Sequence, residues 1–181
     1  VKSTDFFVNQ YPDDGGCDEG PSYWSEAGGK LMRFIHVLNK LTTTSIDWKQ
    51  EKLIYNMGNY ISKVHIGENN FVNFADAFSK SIPDPESVYS YGALYNDAAL
   101  KSFGAYLFGL QKQKLDNGNI IDFLETTSIY DSLTTVKPIA PLPAVSWFGD
   151  RQLLTARTKS ESTSGIFLAV QGGHNAESHN H

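Results

Sequence analysis

Apolar side chains recur at helical spacing after a loop rich in glycine and proline at residues 11–22. From Ala27 to Leu41 they follow the i, i+3, i+4, i+7 pattern of a helix that buries one face. Ser22 or Ser25 stands where an N-cap is favoured, because a serine hydroxyl can accept a hydrogen bond from an amide of the first turn. The pattern therefore predicts a helix that begins just after the loop.

Similar stripes predict the elements that follow. The connection after the second helix contains glycine, asparagine and proline, which favour irregular structure. Asp97 precedes the third helix and is a good N-cap. In order, we predict a helix over 53–64, an irregular connection over 66–85, a helix from Asp97 to Leu110, a turn at Asn117 and Gly118, and a short helix over 120–125.

The spacing changes at residues 137–143, where three prolines cannot continue a helix and favour a stiff, extended linker. Beyond the linker the apolar runs have strand length, over 144–148, 152–157 and 165–170, and Gly149 with Asp150 signals a tight turn. We therefore expect an α+β chain with two parts. Residues 1–137 should form helical hairpins, and residues 138–181 should form a linker and the first antiparallel strands of a second domain.

Composition narrows the class of protein. A hydrophobic fraction of 40% with 13% aromatic residues is enough to build a core, and the aromatic excess suits either that core or stacking on sugar rings. The net charge of −5 argues against a general nucleic-acid binder, which needs a basic face. No apolar run reaches 18 residues, so no membrane span is predicted. Cys17 is the sole cysteine and is more typical of a packed residue than of a nucleophile.

The first segment with candidate chemistry is the stretch from Asp13 to Trp24. In one interpretation its glycines let the backbone approach a carbohydrate, and Glu19, Tyr23 and Trp24 contact that ligand. In the other, the segment is simply the entry to a helix and its aromatic residues pack in the core. Composition alone leaves both interpretations open.

The second segment lies at the other end of the chain. If the last strand continued through it, His179 and His181 would project from one face and act as metal ligands or as an acid–base pair. The alternative is a histidine-rich terminus without a function. The segment contains His174, Asn175, Glu177, His179 and His181. Elsewhere the sequence has no phosphate-binding glycine loop, no Gly-x-Ser-x-Gly and no His-Glu-x-x-His.

Taken as a pair, the segment from Asp14 to Trp24 and the segment from Gly172 to His181 resemble the heparinase II/III-like polysaccharide lyases. The order and separation of the two segments fit that family. The resemblance implies the C-terminal part of an α/α toroid up to the proline linker, followed by the first strands of an antiparallel β-sandwich. Because the chain begins without Met and ends inside the second segment, we expect it to be a section of a longer enzyme, periplasmic or secreted.

The resemblance also implies an activity, the β-elimination of acidic polysaccharides that contain uronate, of a heparin-like, heparan-sulfate-like or alginate-like kind. Tyr23 matches the family's acid/base tyrosine, His179 its acid/base histidine, and His181 a ligand of a structural zinc. The resemblance also assigns contacts with the substrate to Glu19, Trp24, His174, Asn175 and Glu177. Two family features are missing: an Asn/His segment ahead of Asp14 and the run that follows His181.

Two other functions remain open. An α/α-toroid glycoside hydrolase would need two carboxylates that flank the scissile bond, and the available pair, Asp18 and Glu19, is adjacent in sequence. A non-catalytic carbohydrate-binding module would keep the same side chains without turnover. Binding of an acidic polysaccharide by the lyase needs a local basic cluster, because the net charge of the chain is negative; the candidates are Lys30, Arg33, Arg151, Arg157 and Lys159.

Overall fold

The glycine-rich loop leads directly into the first long helix of the computed structural model, which describes residues 2–42, 47–111, 120–173 and 179. Within those residues the chain forms six α-helices and two small antiparallel sheets. The helices are α1 Lys2–Asn9, α2 Lys30–Leu41, α3 Lys52–Lys63, α4 Pro85–Tyr95, α5 Ala98–Gln111 and α6 Ile120–Thr135. The strands are β1 His65–Gly67, β2 Asn70–Phe71, β3 Val145–Phe148, β4 Leu153–Arg157 and β5 Phe167–Gln171.

The helix predicted after the loop is confirmed, but its cap is not. A π-helical turn, Ser25–Gly29, runs straight into α2, and its N-cap residue is Trp24, which makes no side-chain cap hydrogen bond. Both serines serve as links to other loops. The Ser25 hydroxyl accepts from the Asp84 amide at 2.9 Å, and the Ser22 hydroxyl accepts from the Phe78 amide at 2.8 Å. Neither serine therefore caps the helix as predicted, and both hydroxyls instead tie the loop to residues far along the chain.

The other predicted helices are found, with differences at their ends. The Asp97 carboxylate caps α5, accepting from the amides of Ala99 at 2.8 Å and Leu100 at 3.1 Å. The helix α6 is much longer than the predicted segment 120–125. The sequence analysis did not predict α4, which begins with Pro85 in its first turn and ends at Asn96 in the left-handed conformation. The predicted turn at Asn117 and Gly118 lies outside the described residues.

Large aromatic side chains form the centre of the core, between the helices and the inner face of the three-stranded sheet. The indole nitrogen of Trp24 donates to the Met57 carbonyl at 2.7 Å, and the Tyr91 hydroxyl donates to the Gly28 carbonyl at 2.8 Å. Their polar atoms are therefore satisfied without water. The fully buried rings are Trp24, Tyr60, Phe71, Tyr91, Phe103 and Phe148.

The C-terminal strands form an antiparallel sheet in the order β3–β4–β5, as the sequence predicted. Its inner face buries Phe148 and Leu153 against the helical core. The strand register aligns apolar residues in two rows across the outer face of the sheet. The members of these rows on β3 and β5 are strongly exposed, whereas those on β4 are not. The rows are Val145–Ala156–Leu168 and Trp147–Leu154–Val170. The outer face of this sheet is thus apolar, and its inner face combines apolar side chains with the buried Ser146 and Thr155.

One guanidinium fixes this sheet to the helical part. Arg157 at the end of β4 donates to the carbonyls of His65 at 2.7 Å and Ile66 at 3.3 Å, both on β1. It also donates to the carbonyls of Pro143 at 3.1 Å and Ser162 at 3.2 Å. Because a guanidinium carries five N–H donors in a rigid plane, a single side chain can hold several segments together.

His65 is a core residue at the start of β1. Its ring is fully buried among Phe71, Phe103 and Tyr106, and its Nε2 donates to the Glu68 carbonyl at 2.9 Å. Its Nδ1 has no hydrogen-bond partner among the described residues. Burial, which disfavours the charged ring, is the main cause that lowers the pKa of His65 to about 4; the nearby Arg157 contributes to this lowering, and the hydrogen bond to the Glu68 carbonyl opposes it.

The burial of His65 predicts an acid-sensitive fold. In the unfolded chain its pKa is about 6.5, so between that pH and about 4 the unfolded state binds more protons. The free energy of unfolding should therefore fall as the pH drops through this window. In His65→Gln, whose amide can still donate to Glu68, this part of the pH dependence should vanish. Urea unfolding at several pH values checks it; identical pH profiles for the two proteins would contradict it.

The buried indole of Trp24 predicts a large loss of stability when its nitrogen is removed. In Trp24→Phe the Met57 carbonyl loses its donor, which costs about 1–3 kcal/mol for a buried group. Trp147→Phe is the matched control, because Trp147 is 58% exposed on the outer sheet face. Urea unfolding followed by circular dichroism should give a large loss for the first variant and little for the second. Equal losses would show that the buried hydrogen bond contributes nothing.

Candidate functional site

The glycine-rich loop, residues 13–20, lies directly on the backbone of α3. Gly15 has a φ of +78°, and a Cβ there would stand 2.3 Å from the Asn56 carbonyl carbon. The Asn56 side chain donates to the Asp13 carbonyl at 2.8 Å. Only glycine permits both this conformation and this approach. The loop is therefore held in one place against the helix.

The same loop is joined to the turn between β3 and β4. The amide of Asp150 donates to the Asp14 carboxylate at 2.8 Å, and the amide of Asp14 donates to the Asp150 carboxylate at 3.4 Å. Arg151 forms an ion pair with Asp18 and packs over Gly16. The first candidate segment is thus anchored on the helical part and on the sheet at once.

A second loop, residues 74–78, packs on the far end of the first segment. Ser22 and Phe78 exchange two hydrogen bonds, since the Ser22 hydroxyl accepts from the Phe78 amide at 2.8 Å and donates to its carbonyl at 3.2 Å. Gly20, with a φ of +84°, lies so close that a Cβ there would stand 2.7 Å from the Ala77 Cβ. These contacts fix the 74–78 loop beside the segment that carries Tyr23.

His179 contacts this 74–78 loop. Its Nδ1 lies 2.6 Å from the Asp76 carboxylate, across 103 positions of sequence, and both side chains are half-buried. The expected strand does not reach it: β5 ends at Gln171, and His179 lies in a turn with a φ of 61°. Strand alternation therefore does not set the direction of this imidazole, and His181, with which it was expected to share a strand face, lies outside the described residues.

Tyr23 follows Ser22 directly and is 37% exposed. Its carbonyl accepts from the Glu26 amide at 2.9 Å, so its backbone belongs to the helix entry while its ring reaches the surface. The 74–78 loop thus contacts the segment that precedes Tyr23 and, through Asp76, also contacts His179. The loop therefore links His179 to the residue directly before Tyr23.

The residues assigned to substrate contact divide into three groups. Glu19 is half-buried and lines a groove of about 170 Å³ together with Tyr11, Cys17 and Asp18. Trp24 is fully buried, so in this structure its ring is part of the core and offers no face to a sugar. The remaining assignments, His174, Asn175 and Glu177, lie outside the described residues, as does the metal-ligand candidate His181.

Two groups that line this groove, the Cys17 thiol and the Tyr11 hydroxyl, have raised pKa values. Burial raises the pKa of the Cys17 thiol, and it raises the pKa of the Tyr11 hydroxyl well above its ordinary value. A thiol whose pKa is raised stays protonated and is a poor nucleophile. Cys17 is therefore a packed residue, as its isolation in the sequence indicated.

Four of the five cations proposed for a polyanion already have partners. Lys30 pairs with Glu26 at 3.7 Å and Arg33 with Asp84 at 3.2 Å. Arg151 contacts Asp18, and Arg157 donates to main-chain carbonyls. Lys159 is exposed. The positive charge of these side chains is thus partly compensated within the fold, and attraction of a polyanion needs further charges.

No metal centre is visible in the part of the chain that the structure describes: no group of three or more His, Cys, Asp or Glu side chains is arranged to hold an ion. His181 is not among these residues, so the zinc site stays a prediction. Likewise, no helix in the described ranges is long and apolar enough to cross a membrane.

Asp76 is the residue that sequence reasoning missed. It sits in a connection that the sequence marked only as irregular, and no motif spacing links it to the terminal histidines. Compared with known proteins, the chain matches no protein-family model and no curated sequence. The geometry around the 74–78 loop is therefore the main ground for a functional interpretation.

Proposed function

We propose that this chain carries part of the active site of a polysaccharide lyase that cleaves uronate-containing acidic polysaccharides by β-elimination. The observation that carries the proposal is the 74–78 loop, which contacts the segment preceding Tyr23 and holds His179 through Asp76. The resemblance of the two motif segments to the heparinase II/III-like lyases supports the same activity. Acidic polysaccharides or oligosaccharides are the proposed substrates.

The reaction needs one group that removes a proton and one that supplies a proton. The C5–H bond next to the uronate carboxylate breaks, its electron pair forms the C4=C5 double bond, and the C4–O bond breaks. The leaving oxygen takes up a proton. Tyr23 and His179 divide these two transfers, because a phenol and an imidazole can each donate and accept a proton.

The wider architecture is also a proposal. The packed pair α4 and α5, joined by a tight turn at Asn96, suits the helical hairpins of an α/α toroid. The apolar outer face of the three-stranded sheet suits a β-sandwich, in which a second sheet packs on such a face at about 10 Å. Enzymes of this kind act in the periplasm or outside the cell.

We further propose a structural zinc that includes His181 among its ligands. This rests on the resemblance, and no step of the elimination passes through the metal. A structural zinc site needs about four ligands, so His181 must be joined by others.

A glycoside hydrolase is the second candidate, since Asp18 and Glu19 both line the groove of about 170 Å³. Against it, Asp18 is already paired with Arg151, and a hydrolase needs its two carboxyl groups on opposite sides of one bond. The products separate the functions. A lyase produces unsaturated uronates that absorb in the ultraviolet, a hydrolase produces reducing ends without that absorbance, and a binding module produces neither.

The proposal predicts that Tyr23→Phe in the intact enzyme abolishes most of the elimination. The change removes one hydroxyl from a partly exposed ring, so the fold and substrate binding should persist while kcat falls about 10²–10⁴-fold. Tyr130→Phe is the matched control, because Tyr130 is also partly exposed. Absorbance of the unsaturated product measures both variants. Undiminished turnover in Tyr23→Phe would leave Tyr23 as a structural aromatic.

A separate prediction divides the terminal histidines. In the intact protein His181→Ala should lower zinc content and thermal stability, because it removes a metal ligand. His179→Ala should keep both and stop elimination. Metal analysis, thermal unfolding and product absorbance on the same preparations test this, each variant serving as control for the other. Swapped phenotypes would mean that the two roles are reversed.

The 181-residue chain alone should bind zinc weakly. Tight stoichiometric zinc binding by this chain would contradict a zinc site that His181 shares with other ligands.

A further inference from the structure

The contact between Asp76 and His179 determines which imidazole nitrogen can react. The Nδ1 of His179 lies 2.6 Å from the Asp76 carboxylate oxygen. A carboxylate can only accept a hydrogen bond, so Nδ1 is the nitrogen that carries the hydrogen. In the neutral ring Nε2 is then the nitrogen that lacks a proton. The contact therefore selects one of the two tautomers.

The backbone holds the Asp76 carboxylate in place. Ala75 has a φ of 52°, and the Ala77 amide donates to the Phe74 carbonyl at 3.1 Å, which closes a tight turn around Asp76. Phe74 is buried, and Phe78 is bonded twice to Ser22. The carboxylate is thus fixed relative to the segment that carries Tyr23.

The surroundings also favour a strong contact. The side chains of His179 and Asp76 are 34% and 26% exposed, so part of the pair is shielded from water. Hydrogen bonds to an ionised partner are shorter and stronger than neutral ones, about 2.7–2.9 Å for an N–H donor. The 2.6 Å between Nδ1 and the carboxylate is slightly below that range, so the two groups are in direct hydrogen-bond contact. A merely solvated aspartate on the surface would not hold an imidazole in this way.

We propose that Asp76 is a positioning residue: its contact with Nδ1 fixes the orientation and the tautomer of the His179 ring, so that Nε2, on the opposite side of the ring, is the nitrogen that faces the substrate. The inference rests on the proposed function, because it takes His179 as the residue that acts on the substrate.

The test compares Asp76→Asn with the unchanged protein, using intact protein that carries ¹⁵N-labelled histidine. An asparagine amide can turn its donor toward Nδ1, which favours the hydrogen on Nε2. The ¹⁵N shifts of His179, assigned with His179→Gln, should show hydrogen on Nδ1 in the unchanged protein and a shift toward Nε2 in Asp76→Asn. Asp131→Asn, on an exposed part of α6, is the matched control and should change nothing.

Kinetics supply the second readout. In Asp76→Asn kcat should fall about 10²–10⁴-fold, as when the orienting carboxylate of a catalytic histidine is replaced, while KM changes little. Asp76→Glu keeps a carboxylate and should recover part of kcat. Circular dichroism checks that each variant folds, and if Asp76→Asn does not fold, the tautomer of the unchanged protein and the kinetics of Asp76→Glu decide.

The outcomes separate the two proposals. Hydrogen on Nε2 in the unchanged protein, or no change of tautomer in Asp76→Asn, would overturn the positioning role whatever the activity. A changed tautomer with full kcat would overturn its part in catalysis. If the unchanged protein produces no unsaturated uronate from any acidic polysaccharide while the tautomer responds as expected, the lyase proposal fails and the positioning of His179 by Asp76 stands.

Discussion

The candidate site depends on the close approach of Gly15 to the backbone of α3. A Cβ at this position would overlap the main chain at Asn56, and the φ of +78° is one that side chains rarely adopt. Because the loop lies this deep, Asp14 can exchange hydrogen bonds with Asp150 on the sheet. A shift of the loop by the size of a methyl group would break these hydrogen bonds. It would also displace the start of the segment that leads to Tyr23.

Periodicity predicted the elements that have one clear buried face. The helices α2, α3 and α5 and the three C-terminal strands fall close to their predicted positions, since their apolar residues repeat at helical or strand spacing. The helix α4 was not predicted because its buried positions include Ser87, Tyr91 and Gly92, which form no apolar stripe. Residues of this kind are buried when a neighbour packs closely, as Gly92 does against the backbone of Lys101, and a single sequence does not reveal that neighbour.

The candidate site was predictable only in part for the same reason. Glycine and proline residues indicated the loop, and tyrosine and histidine residues indicated groups that can transfer protons. The burial of Trp24 depends on Gly28, which leaves room for the indole, so the same Tyr-Trp pair divides between surface and core. The pairing of Asp76 with His179 joins positions 103 residues apart, and no spacing rule relates them. Composition can indicate the chemistry of a site, but it does not identify partners that lie so far apart in the sequence.

Two histidines of this chain have contrasting surroundings, which suit a structural role for one and the proposed functional role for the other. Around His65 three aromatic rings exclude water, the Nε2 hydrogen goes to a main-chain carbonyl, and the lowered pKa keeps the ring neutral at ordinary pH. His179 instead keeps a third of its surface exposed and faces a carboxylate through Nδ1. The first ring can neither reach a ligand nor take a proton without destabilising the core. The second has one nitrogen in contact with a carboxylate and keeps part of its ring at the surface, which suits the proton transfer that we propose for it.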